Sequence, residues 1–149
     1  MKMMKQQIAL LLGICLSTGL YAQNPDKIEA ESFTEKSPKV TVSKRETGET
    51  TVSIGKDQWI KLENVNFGKD KSQVKIRAAS GSSSGKASIE IRLGSKDGDV
   101  LAKIKIPVNG WNAFTEIDTA FLKEVSKSSD IYIVPISGSL RLDWVEFIK

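Results

Sequence analysis

From Lys27 onward, hydrophobic and polar residues alternate in short runs separated by glycine-, serine- and asparagine-rich breaks. A period of two marks half-buried strands, and no long segment carries the 3.6-residue period of a helix. Strands are predicted at Lys27–Glu31, around Val40 and Val42, and at Trp59–Val65, Val74–Ala78, Ile89–Leu93, Leu101–Pro107, Ile131–Ile136 and Leu140–Phe147. The nearly continuous apolar run Ile131–Ile136 predicts a strand buried on both faces. Breaks fall at Gly48, Gly68–Lys71, Gly81–Gly85, Gly94–Asp99, Asn109–Gly110 and Gly138, and Gly94–Asp99 suits a hairpin connection. Thr119–Val125 is amphipathic and suits one helical turn or a long loop. Roughly eight to ten strands at this spacing predict one all-β domain, a sandwich or barrel, with no internal repeat.

Residues 1–22 follow another pattern. Lys2 and Lys5 precede an apolar run from Ile8 to Leu16, too short to span a bilayer with ease, and small residues lead to Ala22. This reads as a secretory signal peptide cleaved after Ala22, leaving residues 23–149 as a secreted or periplasmic domain. No basic stop-transfer segment follows that would make it a membrane anchor. Lipidation at Cys15 is a rival reading, but bulky Ile14 makes a poor lipobox. Cleavage would remove the only cysteine, so the domain would use no disulfide.

The chain has no histidine, which excludes Ser-His-Asp and Cys-His triads and imidazole-bound metals. Its net charge of +4 drops when Lys2 and Lys5 leave, and no basic stripe is evident, so nucleic acid is not an expected partner. Ser82–Ser84 has no base partner, Gly81–Gly85 lacks the Gly-Lys-Ser/Thr of a phosphate loop, and no acid pair sits in a catalytic context. The expectation is a noncatalytic protein.

Five blocks carry a family resemblance. They are Ile28-Glu29-Ala30-Glu31-Ser32-Phe33; Gln58-Trp59-Ile60-Lys61-Leu62-Glu63-Asn64-Val65-Asn66-Phe67-Gly68; Ala78-Ala79-Ser80-Gly81 with Ile89-Glu90-Ile91-Arg92-Leu93; Gly110-Trp111-Asn112-Ala113-Phe114-Thr115; and Leu142-Asp143-Trp144-Val145-Glu146-Phe147. In this order they resemble the family 6 carbohydrate-binding modules, over nearly all of residues 27–149. The resemblance implies a β-sandwich jelly roll and noncatalytic binding of a polysaccharide or oligosaccharide, here by a module that stands alone.

It also implies a structural Ca²⁺ ion. Glu29 and Glu31, two apart on a predicted strand, would share a face, where like charges need solvent or a hard cation. Asp143 is a charge inside an apolar strand. In the family the matching residues hold calcium, with carbonyls from a loop that would lie near Lys44–Glu49. The bland alternative is two solvated glutamates and an aspartate capping a turn.

The family's sugar site is an aromatic pair with an asparagine beneath, on loops at one edge of the sandwich. The matching positions here are Ser53, Phe114 and Arg141. Ser53 offers no stacking face, whereas Phe114 could stack on a ring or pack beside Trp111. Arg141 could grip an acidic or sulfated sugar through two of its five donors. Trp59, Trp111 and Trp144 are expected in the core. Three readings stay open: an atypical glycan at Phe114 and Arg141; binding on the concave sheet face, using residues such as Arg77, Glu90 and Arg92; or a structural or protein-interaction domain, docking another secreted protein, that has lost sugar binding.

Overall fold

A computed structural model describes residues 26–149. The signal-peptide reading, its cleavage after Ala22 and Cys15 lie outside the described residues. The strands are β1 (Lys27–Glu29), β2 (Glu35–Lys36), β3 (Thr41–Lys44), β4 (Thr50–Gly55), β5 (Ile60–Asn66), β6 (Gln73–Ser80), β7 (Ser88–Leu93), β8 (Val100–Lys105), β9 (Gly110–Ala120), β10 (Ser128–Ser137) and β11 (Ser139–Ile148), with a 3-10 turn at Ala30–Ser32. One sheet runs β3-β4-β11-β6-β9, with β1 also paired to β11, and the other runs β2-β5-β10-β7-β8. All strand pairs are antiparallel, and the two sheets form a jelly-roll β-sandwich.

The alternation explains the core. Val52 and Ile54 of β4, Val74 and Ile76 of β6, and Leu140 and Leu142 of β11 turn inward to meet Ile60 and Leu62 of β5, Ile89 and Ile91 of β7, and Ile131 and Ile133 of β10, all fully or almost fully buried. Phe67 and Phe147 meet edge to face at 4.9 Å, and Phe121 closes the cluster at 6.0 and 6.2 Å, the offset geometry that aromatic quadrupoles favour.

Strand β11 changes phase partway along. Its pairing with β6 slips between Leu142 and Trp144, so the inward residues are Leu140 and Leu142 before the slip and Val145 and Phe147 after it. A bulge inserts one residue and re-aims side chains. Here it turns Asp143 and Trp144 away from the apolar interior while keeping both buried.

Several expectations change. Strand β1 ends at Glu29, and Glu31 lies in the 3-10 turn, so the two glutamates do not share one strand face. Ile131–Ile136 is not buried on both faces: Tyr132 and Val134 are half-buried and Ile136 is exposed, because the outer face of this antiparallel sheet meets solvent. No helix forms at Thr119–Val125; Thr119 and Ala120 finish β9, and the rest is a loop. Strands β4 and β9 were not predicted, since serines and threonines dilute one and polar residues the other. At Gly138, between β10 and β11, φ is +62° and a Cβ would fall 1.9 Å from the Lys86 carbonyl oxygen, so only glycine fits.

Candidate functional site

Cross-strand register builds two sites on the outer face of the larger sheet. In the first row, Thr41 pairs with Ser53, Ser53 with Arg141, and Arg141 with Ala79. Because Val52, Ile54, Leu140 and Leu142 point inward, Ser53 and Arg141 point out. They line a pocket of about 320 Å³ together with Lys39, Thr41, Gln58 and Trp111.

Trp111 reaches this pocket through an irregularity. Between Ala78↔Thr115 and Ser80↔Gly110 the β6–β9 ladder advances two residues on β6 and five on β9. The excess bows Trp111–Phe114 out of the ladder. Trp111 is 38% exposed, so it is a surface platform and not the core residue expected. Its indole lies on Gly81, where a Cβ would come within 2.7 Å of Cδ1 and of Nε1. Arg141 fixes this end of β9: its Nη1 donates to the Trp111 carbonyl oxygen at 3.2 Å and to Asn112 Oδ1 at 3.0 Å. The other two tryptophans are less accessible, Trp144 being buried and Trp59 half-buried against Tyr132 at 5.5 Å.

Phe114 stands at the other end of the bow. It does not line the Ser53–Arg141 pocket. Its ring is approached by the guanidinium groups of Arg45 at 4.4 Å and Arg77 at 4.8 Å, cation–π contacts that occupy it as part of a charged cluster. The structure therefore unites Ser53 and Arg141 and sets Phe114 apart. Trp111, Lys39, Thr41 and Gln58 join them in the candidate pocket and were not anticipated there. The one readable signal was Trp111 between Gly110 and polar Asn112, outside any alternating run.

The second row runs Glu29, Trp144, Arg77, Glu116 across β1, β11, β6 and β9. It forms the floor of a pocket of about 490 Å³ that also holds Lys27, Glu31, Gly48, Glu49 and Asp143. Asp143 is 4% exposed and accepts a hydrogen bond from Arg77 Nη1, while the same nitrogen lies 3.5 Å from Glu49 Oε1. Glu31 Oε2 is buried with no hydrogen-bond partner among the described residues. Burial raises the Glu29 pKa, and Glu31 and Asp143 add to the rise against an opposing pull from Lys27.

The second pocket has all-oxygen donors of the kind a hard cation takes, an orphaned carboxylate oxygen, and an excess of acids over bases. Glu29, Glu31 and Asp143 do gather around it, and the turn near Gly48 borders it. Asp143, however, is already shared with Arg77, and among the described residues no three acidic side chains stand close enough to form a ready metal cluster.

Of the residues expected on the concave face, Arg77 lies in the larger sheet while Glu90 and Arg92 lie in the smaller. Glu90 is mostly buried and accepts from Arg92 Nε at 2.8 Å, so these three form no common surface. No helix among the described residues is long and apolar enough to cross a membrane.

The chain is similar to known carbohydrate-binding modules. A family described as carbohydrate binding module (family 6) matches residues 29–149. A family 6 module from Clostridium cellulolyticum, solved with xylose, is 27% identical, with 83% of this chain and 96% of that one covered at a TM-score of 0.74. A β-1,3-glucan-binding module from Bacillus halodurans is 25% identical, covering 83% and 95% at 0.72. A module from Clostridium stercorarium in complex with cellobiose, 23% identical, covers 83% and 92% at 0.75 and shares the fold.

Proposed function

The chain belongs to the family 6 carbohydrate-binding modules, and from that membership we propose that it binds a polysaccharide noncatalytically in the pocket of Ser53, Trp111 and Arg141. The carrying observation is Trp111, an exposed indole seated on Gly81 beside a polar pocket. A flat aromatic face covers the C–H surface of a sugar ring, while Ser53, Thr41, Gln58 and Arg141 offer partners to hydroxyl groups. The xylose-bound and β-1,3-glucan-binding relatives support a saccharide as ligand. Among the described residues no acid lines this pocket, which speaks against acid–base hydrolysis there.

Titration calorimetry with soluble xylan and β-glucan oligosaccharides tests the reading. Binding that is lost in Trp111→Ala, with the fold intact, supports it. Binding that survives Trp111→Ala moves the site elsewhere, with the half-buried Trp59 beside Arg92 and Ile136 on the smaller sheet as the first place to look. A folded domain that binds no saccharide leaves the structural or protein-docking role.

Glu29, Glu31 and Asp143 would hold a structural Ca²⁺, which would neutralise charge between the first strand and the last. The orphaned Glu31 oxygen and the raised Glu29 pKa support this. The apolar run and small-residue approach to Ala22 support export to the periplasm or the exterior.

A further inference from the structure

The chain has four arginines. Three of them end on carboxylates: Arg45 on Glu49, Arg77 on Asp143 and Glu49, and Arg92 on Glu90. Arg141 meets none. Its Nη1 hydrogens are used by the Trp111 carbonyl and Asn112, which fixes the plane of the guanidinium. The hydrogens on Nε and Nη2 lie along the opposite edge, and they have no acceptor among the described residues. That edge is a fork matched to two oxygens of a planar carboxylate or of a sulfate.

The surroundings have the same sign. The lining residues of the pocket include two cations, Lys39 and Arg141, and no acid. Lys39 is exposed and makes no ion pair among the described residues. On the other side of Arg141 an adjoining pocket holds Lys44 and the Glu49-paired Arg45 beside one acid, Glu46. A half-buried guanidinium held in place with a free fork, beside a second free cation, is arranged to receive negative charge.

We propose that the pocket selects an anionic sugar, whose carboxylate or sulfate group seats on the Nε–Nη2 edge of Arg141 while its ring lies against Trp111. The inference rests on the saccharide-binding reading above and adds the class of ligand. Neutral sugars can accept single hydrogen bonds from Arg141, but only an oxyanion completes the charged fork.

The test is calorimetric titration of the full chain with oligogalacturonate, a sulfated galactan oligosaccharide, and neutral xylo- and β-1,3-gluco-oligosaccharides. The expected result is at least tenfold tighter binding of one anionic probe than of either neutral one, and which probe binds tells carboxylate from sulfate. That preference should collapse in Arg141→Gln by roughly ten- to a hundredfold, the span of one charge-assisted hydrogen-bond pair. It should shrink in Lys39→Gln, a surface change that does not threaten folding, and weaken in the unaltered protein as salt rises. Equal affinity for neutral and anionic probes, or an anionic affinity untouched by Arg141→Gln, overturns the proposal while leaving saccharide binding intact. Silence with every probe from a folded protein overturns the saccharide reading itself.

Discussion

Gly81→Ala is a one-methyl test of the Trp111 platform. The added Cβ would sit 2.7 Å from Cδ1 and Nε1 and 2.9 Å from Cε2 of the indole. Ordinary carbon contacts need about 3.5–4.0 Å, so the ring must retreat by roughly 1 Å. Trp111 is 38% exposed and has room to do so. The backbone at residue 81 is not in the left-handed region, so alanine is tolerated there, and stability should change by less than about 1 kcal/mol. A stacking face displaced by 1 Å loses most of an interaction worth about 0.5–1.5 kcal/mol, which weakens sugar binding about three- to tenfold. Trp111→Ala removes the whole face and should cost more. Calorimetry reads the affinity, and the indole N–H resonances of the three tryptophans show which ring moves. A shifted Trp111 resonance with unchanged affinity would refute the argument, because the platform would then move without the ligand sensing it.

Four further outcomes follow from the second pocket and the core. Calcium at a hundred times its dissociation constant should stabilise the domain by about 2.7 kcal/mol, seen as a melting-temperature rise that chelator reverses and Glu29→Gln/Glu31→Gln abolishes. In chelator, the raised Glu29 pKa means that its protonated form favours the fold; this stability is complete below the ordinary value of 4.5 and is lost as pH rises through the raised one. Melting curves of Glu29→Gln minus wild type should therefore show the mutant gaining relative stability toward neutral pH; a flat difference refutes it. Arg77→Met leaves Asp143, only 4% exposed, without its charge partner and should cost about 3 kcal/mol in urea titrations, less when calcium is present. Phe147→Ala empties the centre of the Phe67–Phe121–Phe147 cluster and should cost about 3–5 kcal/mol by the same assay.

The strands with clean alternation, such as Val74–Ala78 and Ile89–Leu93, were legible because a single period decides both pairing and burial. The blocks resembling family 6 modules were legible for the same reason: they are strands and the turns that join them. What escaped the sequence were departures from period two. The slip at Asp143 flips the inward set of β11, and the bow of Trp111–Phe114 separates two aromatics that neighbour each other in sequence. Phe114 was expected at the sugar site because its position matched a motif, yet the bow delivers it to Arg45 and Arg77 and brings Trp111 to Ser53 and Arg141. Gly81 gave no hint of its role, since its importance lies in a contact with a residue thirty positions away. The grouping of Glu29, Glu31 and Asp143 was anticipated, although through a 3-10 turn and not a shared strand face.

Strand β11 also fixes how the domain can be held. Lys27 pairs with Glu146, near the end of β11, whereas Arg141 stands near its beginning. At about 3.3 Å per residue, Ile148 lies roughly 23 Å along the strand from Arg141. Both ends of the described chain thus leave from one pole, and the Trp111 pocket sits toward the other. A linker attached at either end would present the pocket outward in the same orientation. Tension between the two ends would peel β1 from β11 one pair at a time, starting at Lys27 and reaching Glu29, along the Trp144–Glu146 stretch of β11 and away from its Ser139–Arg141 end, which borders the Trp111 pocket.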